Sequence, residues 1–219
     1  MQQVVGLIGL KGSGKDTAAA FLTARGFVRV AFADKLYQEV ADSFGVTVEF
    51  LQNRDTKETP LKELALKNCR DVRFVAVCRR LDPEGTNGEF LEKWRSPRQV
   101  LQWWGTDYRR KVDKDSYWLD VIQEIINSNP DTSFVITDVR FPNEAEFVKA
   151  IGGALARIRR PSLEARAALE RESGSTFAHS SETALLNWVT DYEFINEDGN
   201  PAGMKQSVLD AFCESESAQ

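Results

Sequence analysis

The run "VVGLIGLKGSGK", Val4 to Lys15, constrains this chain more than any other stretch. Its apolar opening, Val4–Ile8, is of the kind that forms a buried parallel strand. The pattern G-x-x-x-x-G-K follows, with Gly9, Gly14 and Lys15 at its fixed points. Next comes "DTAAAFLTARG", helical in composition and closed by Gly26. Strand, glycine loop and helix in that order suit an anion. Glycines let backbone N–H groups wrap a phosphate chain, and the helix N-terminus adds partial positive charge. Lys11, Gly12, Ser13, Gly14, Lys15, Asp16 and Thr17 form the expected contact set, with Lys15 reaching the β- and γ-phosphates of a nucleotide. The alternative is a glycine-rich turn that binds nothing. Asp16 stands where such loops usually carry Ser or Thr. A carboxylate there can still hold Mg²⁺, directly or through water, while adding negative charge beside the phosphates.

Strand and helix alternate along most of the chain. "FVRVAFA" (Phe27–Ala33) reads as a second strand, followed by a helix over Lys35–Phe44. "SFVITDV" (Ser133–Val139) is a third strand, with a helix over Asn143–Ala150. "GALARIRR" (Gly153–Arg160) and "DYEFINE" (Asp191–Glu197) are the fourth and fifth, and Ala202–Phe212 is the last helix. This predicts an α/β fold with a five-stranded parallel sheet and helices on both faces. Residues 46–95 carry no assignable pattern. Residues 161–182, rich in Arg, Glu and Ser, read as an exposed helical flap. Neither looks like an independent domain, and excursions of this kind are where substrate pockets and lids sit.

Bulk properties narrow the function classes. The 219 residues suffice for one well-cored α/β domain with excursions, and a net charge of −5 argues against a nonspecific nucleic-acid binder. With three cysteines lacking C-x-x-C spacing and one histidine, a zinc site is not expected. Reduced thiols, no signal-peptide pattern and no bilayer-length apolar run predict a cytoplasmic protein without a membrane partner.

"SPRQVLQWWGTDYRR" (Ser96–Arg110) begins with a helix start: Ser96 caps, Pro97 fits the first turn and Gln99 completes a capping box. At helical spacing Val100, Leu101, Trp104, Tyr108 and Val112 form an apolar stripe, and Arg98, Gln102, Gly105 and Arg109 share another face. Arg98 opposes the helix dipole and Gly105 costs about 1 kcal/mol relative to Ala. Two such penalties on one face point to a ligand. Arg98 with free N–H groups would grip an anion, Gly105 would allow close approach, and Gln102 would read a base edge. A solvated helix face with surface arginines is the alternative. The Trp103–Trp104 pair reads as core packing.

In "ITDVRFPNEAE", Asp138 ends an apolar strand, a position from which a carboxylate can orient hydrated Mg²⁺. Arg140 lies at the carboxyl edge of the sheet, where open α/β folds bind ligands. Alternatively Asp138 caps the next helix and Arg140 pairs with Glu144. Asp34, in "AFADKL", is either a helix cap or a substrate contact. "RIRRPSLEARAALERESGSTFAHSSE" sets arginines among glutamates, which fits either a surface helix with internal ion pairs or a lid that closes over a transferring phosphoryl group.

Together "GLKGSGKDT", "FADKL", "SPRQVLQWWGTDYRR", "ITDVRFPNEAE", and "RIRRP" followed by "HSSE" resemble deoxynucleoside monophosphate kinases of the type found in tailed bacteriophages and some bacteria. The resemblance covers most of the chain and is weakest over residues 46–95. GKDT is shared with phosphomevalonate kinases, whereas "SPRQ…G" with "DVRFPNE" is more specific. Asp16 matches the family form of the loop. The resemblance implies a single P-loop kinase domain over 1–213, with a substrate-binding excursion about 34–112, a lid about 160–182 and a polar tail at 214–219. It implies ATP with Mg²⁺ as donor and a deoxynucleoside 5′-monophosphate as acceptor, in nucleotide metabolism, without nucleic-acid partners and with a homodimer left open. In a phage, the host-cell cytoplasm is the implied location. Catalysis falls to Lys15, Asp138, Arg140, Arg159 and Arg160, and the metal to Asp16 and Asp138. The acceptor falls among Asp34, Lys35, Arg98, Gln102, Gly105, Arg109, Arg140 and Glu144. Arg157, Arg166, Arg171, His179 and Glu182 belong to the implied lid. A kinase for another phosphorylated small molecule, or a nucleotide sensor without transfer, are the competing readings.

Overall fold

The computed structural model describes residues 2–82, 89–172, 184–198 and 200–213; side chains at 170–172, with His179, Glu182 and the tail 214–219, lie outside the described set. Five strands form one parallel sheet in the order β2-β3-β1-β4-β5. They are β1 (Val4–Ile8), β2 (Val28–Val30), β3 (Phe134–Ile136), β4 (Ala154–Arg159) and β5 (Tyr192–Ile195). Strand β1 is central, with Val5 paired to Val135 on one side and to Ala154 on the other. All five of its residues are buried, as expected of a strand covered on both faces.

Helices α1 (Lys15–Thr23) and, near the end of the chain, Pro201–Phe212 cover one face. There Val5, Leu7, Leu22, Val135, Ile158, Phe194, Met204 and Phe212 make one apolar cluster. On the other face Val148, from the helix Pro142–Ala150, packs against Gly6. The expected architecture is present. No helix among the described residues is long and apolar enough to cross a membrane.

Two compact units result: residues 1–31 with 122–219, and residues 32–121. The sheet and the helices just named make the first. The second is helical, with α2 (Phe32–Phe44), α3 (Val48–Gln52), α4 (Val72–Leu81) and α5 (Pro97–Gln102). Helix α5 runs on as a π-helix over Trp103–Asp113, and α6 (Tyr117–Asn127) follows, its first half in the second unit and its second half in the first. The remaining helices are α7 (Pro142–Ala150), α8 (Pro161–Glu172) and α9 (Pro201–Phe212).

The core of the second unit is aromatic. Phe74 lies 4.5 Å from Trp104 and 5.7 Å from Tyr108, centroid to centroid. Asp71 caps α4 by accepting from the Arg73 and Phe74 N–H groups, and its other oxygen accepts from the Tyr108 hydroxyl at 2.9 Å. Arg95 is fully buried, ion-paired to Asp82 at 3.4 Å and stacked over the Phe90 and Trp103 rings. Trp104 is therefore core and Trp103 half-buried packing, as the sequence suggested.

Several boundaries move. The second strand is Val28–Val30 rather than Phe27–Ala33, and the following helix starts at Phe32 rather than Lys35. Among the described residues strand β2 pairs with β3, residue for residue over three positions, and the helix begins two residues after the last of them. Asp34 accordingly sits inside the first turn of α2, not at the end of a strand. Val112, expected in the apolar stripe, is 49% exposed.

Candidate active site

The first unit carries the glycine loop. Its turns need backbone that only glycine adopts readily: Gly12 has φ +83° and Gly14 has φ +104°. Gly14 is the N-cap of α1, and its carbonyl accepts from the Ala18 N–H at 2.9 Å, starting the helix. The N–H groups of the first turn have no partner within the helix, which makes the loop an anion cradle. Lys15 Nζ donates to the carbonyls of Gly9 (2.7 Å) and Leu10 (2.9 Å), so the side chain arches back along the loop. Lys11, Gly12, Asp16 and Thr17 are exposed around it, and Ser13 is buried.

Two side chains that follow the carboxyl ends of β4 and β5 reach this loop. Asn196 Nδ2 donates to the Ser13 carbonyl at 2.8 Å, and Arg160 Nη1 donates to the Gly12 carbonyl at 3.2 Å. Arg160 also pairs with Asp198. The Ser162 hydroxyl and then Arg160 hold the Asp198 carboxyl below its ordinary range. The sequence reading gave no role to Asn196 or Asp198. Asn196 carries one legible signal, a polar side chain at the carboxyl end of a parallel strand, where α/β folds bind ligands.

Beyond β3, Asp138 is half-buried and Arg140 exposed. Glu144, expected at the acceptor, is 3% exposed, and its Oε2 accepts from the N–H groups of Arg140 (2.8 Å) and Phe141 (3.1 Å). It caps α7. Its bond is to the backbone of Arg140, which it holds in place. Arg157, expected in the lid, is corrected. It lies within β4, 9% exposed, and its Nη2 donates to the carbonyls of Leu185 (3.0 Å) and Trp188 (2.6 Å). It anchors that segment to the sheet and has no freedom to act in a lid. Arg159 forms a two-pronged pair with Glu164, and hydrogen bonding to that carboxylate raises its pKa further. Arg166 is exposed on α8; Arg171 lies on the same helix with its side chain outside the described set, as are His179 and Glu182.

In the second unit, Asp34 and Lys35 are exposed in the first turn of α2. Ser96 caps α5 as expected, its hydroxyl accepting from the Gln99 N–H at 3.3 Å. The residues of the expected ligand face differ in exposure and in partners. Arg98 is exposed and paired with Glu58, and its backbone N–H, expected free for an anion, donates to the Lys57 carbonyl at 3.1 Å. Gln102 is exposed, but Gly105 is buried, and a β-carbon there would lie 3.2 Å from Leu36 Cδ2. Close approach to Gly105 is taken by α2 rather than left for a ligand. In the π-helix that starts at Trp103 the i→i+5 turns advance less per residue than an α-helix, so positions three and four apart drift off one line.

Arg109 is committed too. It donates to Glu39 and Asp113, both at 2.8 Å, and lies over the Tyr108 and Tyr117 rings at 4.6 and 4.8 Å. Glu39, absent from the sequence reading, accepts from Arg109, from Trp104 Nε1 (2.8 Å) and from the Tyr117 hydroxyl (2.6 Å). Burial, followed by the bond to Glu39, pushes the Tyr117 phenol up to about 12. This knot is a structural brace for α2, the π-helix and α6.

No group of three or more His, Cys, Asp or Glu among the described residues is arranged to hold a metal. Magnesium beside phosphates takes one or two carboxylates and keeps waters, and Asp16, Thr17 and Asp138 supply hard oxygen donors of that kind. These residues fit Mg²⁺.

A parallel sheet whose central strand feeds a glycine loop, a lysine and a helix N-terminus defines a P-loop kinase fold. No family model matches the chain. It is 30% identical over 210 residues to a protein of Acanthamoeba polyphaga mimivirus named deoxynucleotide monophosphate kinase, spanning 89% of this chain and 93% of that protein. It is 32% identical over 185 residues to the deoxynucleoside-5′-monophosphate kinase of Escherichia phage T5, spanning 68% of this chain and 72% of the phage protein. Among solved structures it is similar to dephospho-CoA kinase from Campylobacter jejuni, with a TM-score of 0.49 and 15% identity over 96% of this chain and 95% of that one. The chain belongs to the deoxynucleoside monophosphate kinase family.

Proposed function

We propose that this protein transfers the γ-phosphoryl group of ATP to a deoxynucleoside 5′-monophosphate, producing the diphosphate and ADP in the cytoplasm. The observation that carries the reading is the loop at the start of α1, with Lys15 in register. An acceptor phosphate oxygen attacks the γ-phosphorus in line, and the bond to the β–γ bridging oxygen breaks. That acceptor is already anionic, so positioning and charge neutralisation do most of the work.

Each group has a distinct task. Backbone N–H groups from Gly12 to Thr17 bind the donor phosphates, and Lys15 neutralises the β- and γ-oxygens. Asp16 and Asp138 would hold Mg²⁺, which would supply positive charge to offset what develops on the transferring group. Arg140 and Arg166, which are exposed, and Arg159 and Arg160, which are half-exposed, are the first unit's arginines for phosphoryl oxygens. In the second unit, Asp34, Lys35, Arg98 and Gln102 are the exposed groups assigned to the acceptor. Arg109 supports them through the Glu39 knot.

Lys15→Ala should lower turnover by roughly 100-fold or more while the fold persists, because it removes a preorganised charge at the transferring group. The assay is ATP consumption against a panel of dNMPs, NMPs and phosphomevalonate. Wild-type turnover in folded Lys15→Ala would defeat the kinase reading, and turnover with phosphomevalonate alone would reassign the acceptor.

A further inference from the structure

The backbone of the phosphate loop has a conformational problem that its own residues do not solve. With Gly12 and Gly14 both at positive φ, the peptide planes between them can reorient at little steric cost. In a trans peptide the N–H points opposite to the C=O. The direction of the Ser13 carbonyl therefore sets the direction of the Gly14 N–H. Flipping that one plane would replace a phosphate donor by an acceptor oxygen facing the same anion.

Asn196 controls this plane. Its own backbone N–H donates to the Arg159 carbonyl at 2.8 Å, extending the β4–β5 ladder one step past Ile195. From that fixed base its Nδ2 donates to the Ser13 carbonyl at 2.8 Å. The amide nitrogen occupies the space a side chain would need at Gly14, where a β-carbon would lie only 2.4 Å from Nδ2. Gly14 is thus required twice, for its φ and for the room it gives Asn196. The contact joins residues 183 positions apart, so it is made by the finished sheet and not by the loop.

We infer that Asn196 is a positioning residue for phosphoryl-donor binding, holding the Ser13–Gly14 peptide with its N–H directed toward the phosphates. The inference rests on the kinase reading of the same loop. It assigns Asn196 a role toward polyphosphate rather than toward the base or the acceptor. Removal of the amide leaves the loop present but its donors averaged over two orientations. Binding then weakens without loss of Lys15.

The test uses Asn196→Ala and the nearly isosteric Asn196→Asp, which replaces the donor with an oxygen facing the Ser13 carbonyl. Calorimetric titration with inorganic tripolyphosphate, which has no base, reports on the loop directly. Asn196→Ala should bind it roughly threefold to tenfold more weakly, about one hydrogen bond's worth, and Asn196→Asp more weakly still. The KM for ATP should rise in parallel, with the KM for the acceptor and the melting temperature unchanged. Wild-type tripolyphosphate affinity in both variants overturns the inference. So does an equal rise in both KM values, or unfolding of both variants, since either assigns Asn196 to the general frame. If the wild-type protein fails to bind tripolyphosphate while Lys15→Ala is equally indifferent, the phosphate-loop reading itself fails.

Discussion

The carboxylate of Glu144 accepts a hydrogen bond from the backbone N–H of Arg140 at 2.8 Å. A glutamate in the motif "DVRFPNE" thereby fixes the main chain of an arginine four residues earlier while leaving its guanidinium exposed. Both bonds go to Oε2, so a glutamine carbonyl can accept them in its place. Glu144→Ala should cost about 1.5–3 kcal/mol, the range for hydrogen bonds to a buried charge, and Glu144→Gln distinctly less. Urea unfolding of the two variants decides it; equal losses would show that the charge, not the acceptor oxygen, is what the turn needs.

On the proposed function, Asp16 and Asp138 would control magnesium. Asp138→Asn should raise the Mg²⁺ concentration for half-maximal activity. Asp16→Thr should keep more activity than Asp16→Ala, because a hydroxyl still ligates. Mg²⁺ titrations of the three variants are the measurement, and superimposable curves would place the metal elsewhere.

Arg98 is held by Glu58 across an exposed ion pair, and such pairs are worth only about 0–1 kcal/mol. An incoming phosphate can displace Glu58 at small cost. Arg98→Ala should weaken dNMP binding by on the order of 1.5–3 kcal/mol, a charge-assisted bond's worth. Glu58→Ala should tighten it by about fivefold or less, since at most the exposed pair's energy is recovered. Calorimetric dNMP titration tests both. Unchanged affinity in Arg98→Ala would make the start of α5 an ordinary solvated surface.

Asp191 links acid stability to the sheet. Lys149, then the Leu155 N–H, hold its carboxyl below the ordinary 3.8. A depressed folded-state pKa contributes stability that is complete above the unfolded value and is lost as pH falls through the folded one. The gap in urea midpoint between wild type and Asp191→Asn should therefore be full at pH 7 and close as pH drops below about 4. A gap that persists unchanged into strong acid would mean that the carboxylate's charge contributes nothing to stability.

The centre of the sheet was legible because β1 and β3 are short continuous apolar runs, Val4–Ile8 and Phe134–Ile136. The phosphate loop was legible because glycine positions and a lysine in register carry its chemistry locally. Other features depend on tertiary contacts. Nothing in Trp103–Asp113 announces i→i+5 bonding, which is selected by packing against α2 and α4, so the Gly105 face was assigned to a ligand. Residues 46–95 hold, among those described, a five-residue helix and two 3₁₀ turns too short to produce periodicity, together with the ten-residue α4, which was not assigned from the sequence. Glu144 and Arg157 have the residue types of an active site. Their burial and their bonds show that both hold backbone.

The place of β1 in the sheet has a consequence for biosynthesis. Its neighbours β3 and β4 begin at Phe134 and Ala154, far behind it in the chain. At about 5–20 residues per second, Ile8 emerges from the ribosome roughly 6–25 s before Phe134 does. Throughout that interval an uncharged, wholly apolar segment is outside the tunnel with neither edge paired. The continuous stretch 32–121 leaves the ribosome as a complete unit before that wait is over. Sequestering Val4–Ile8, whether by a chaperone or by the amphipathic α1 beside it, is then the step on which yield during translation should turn.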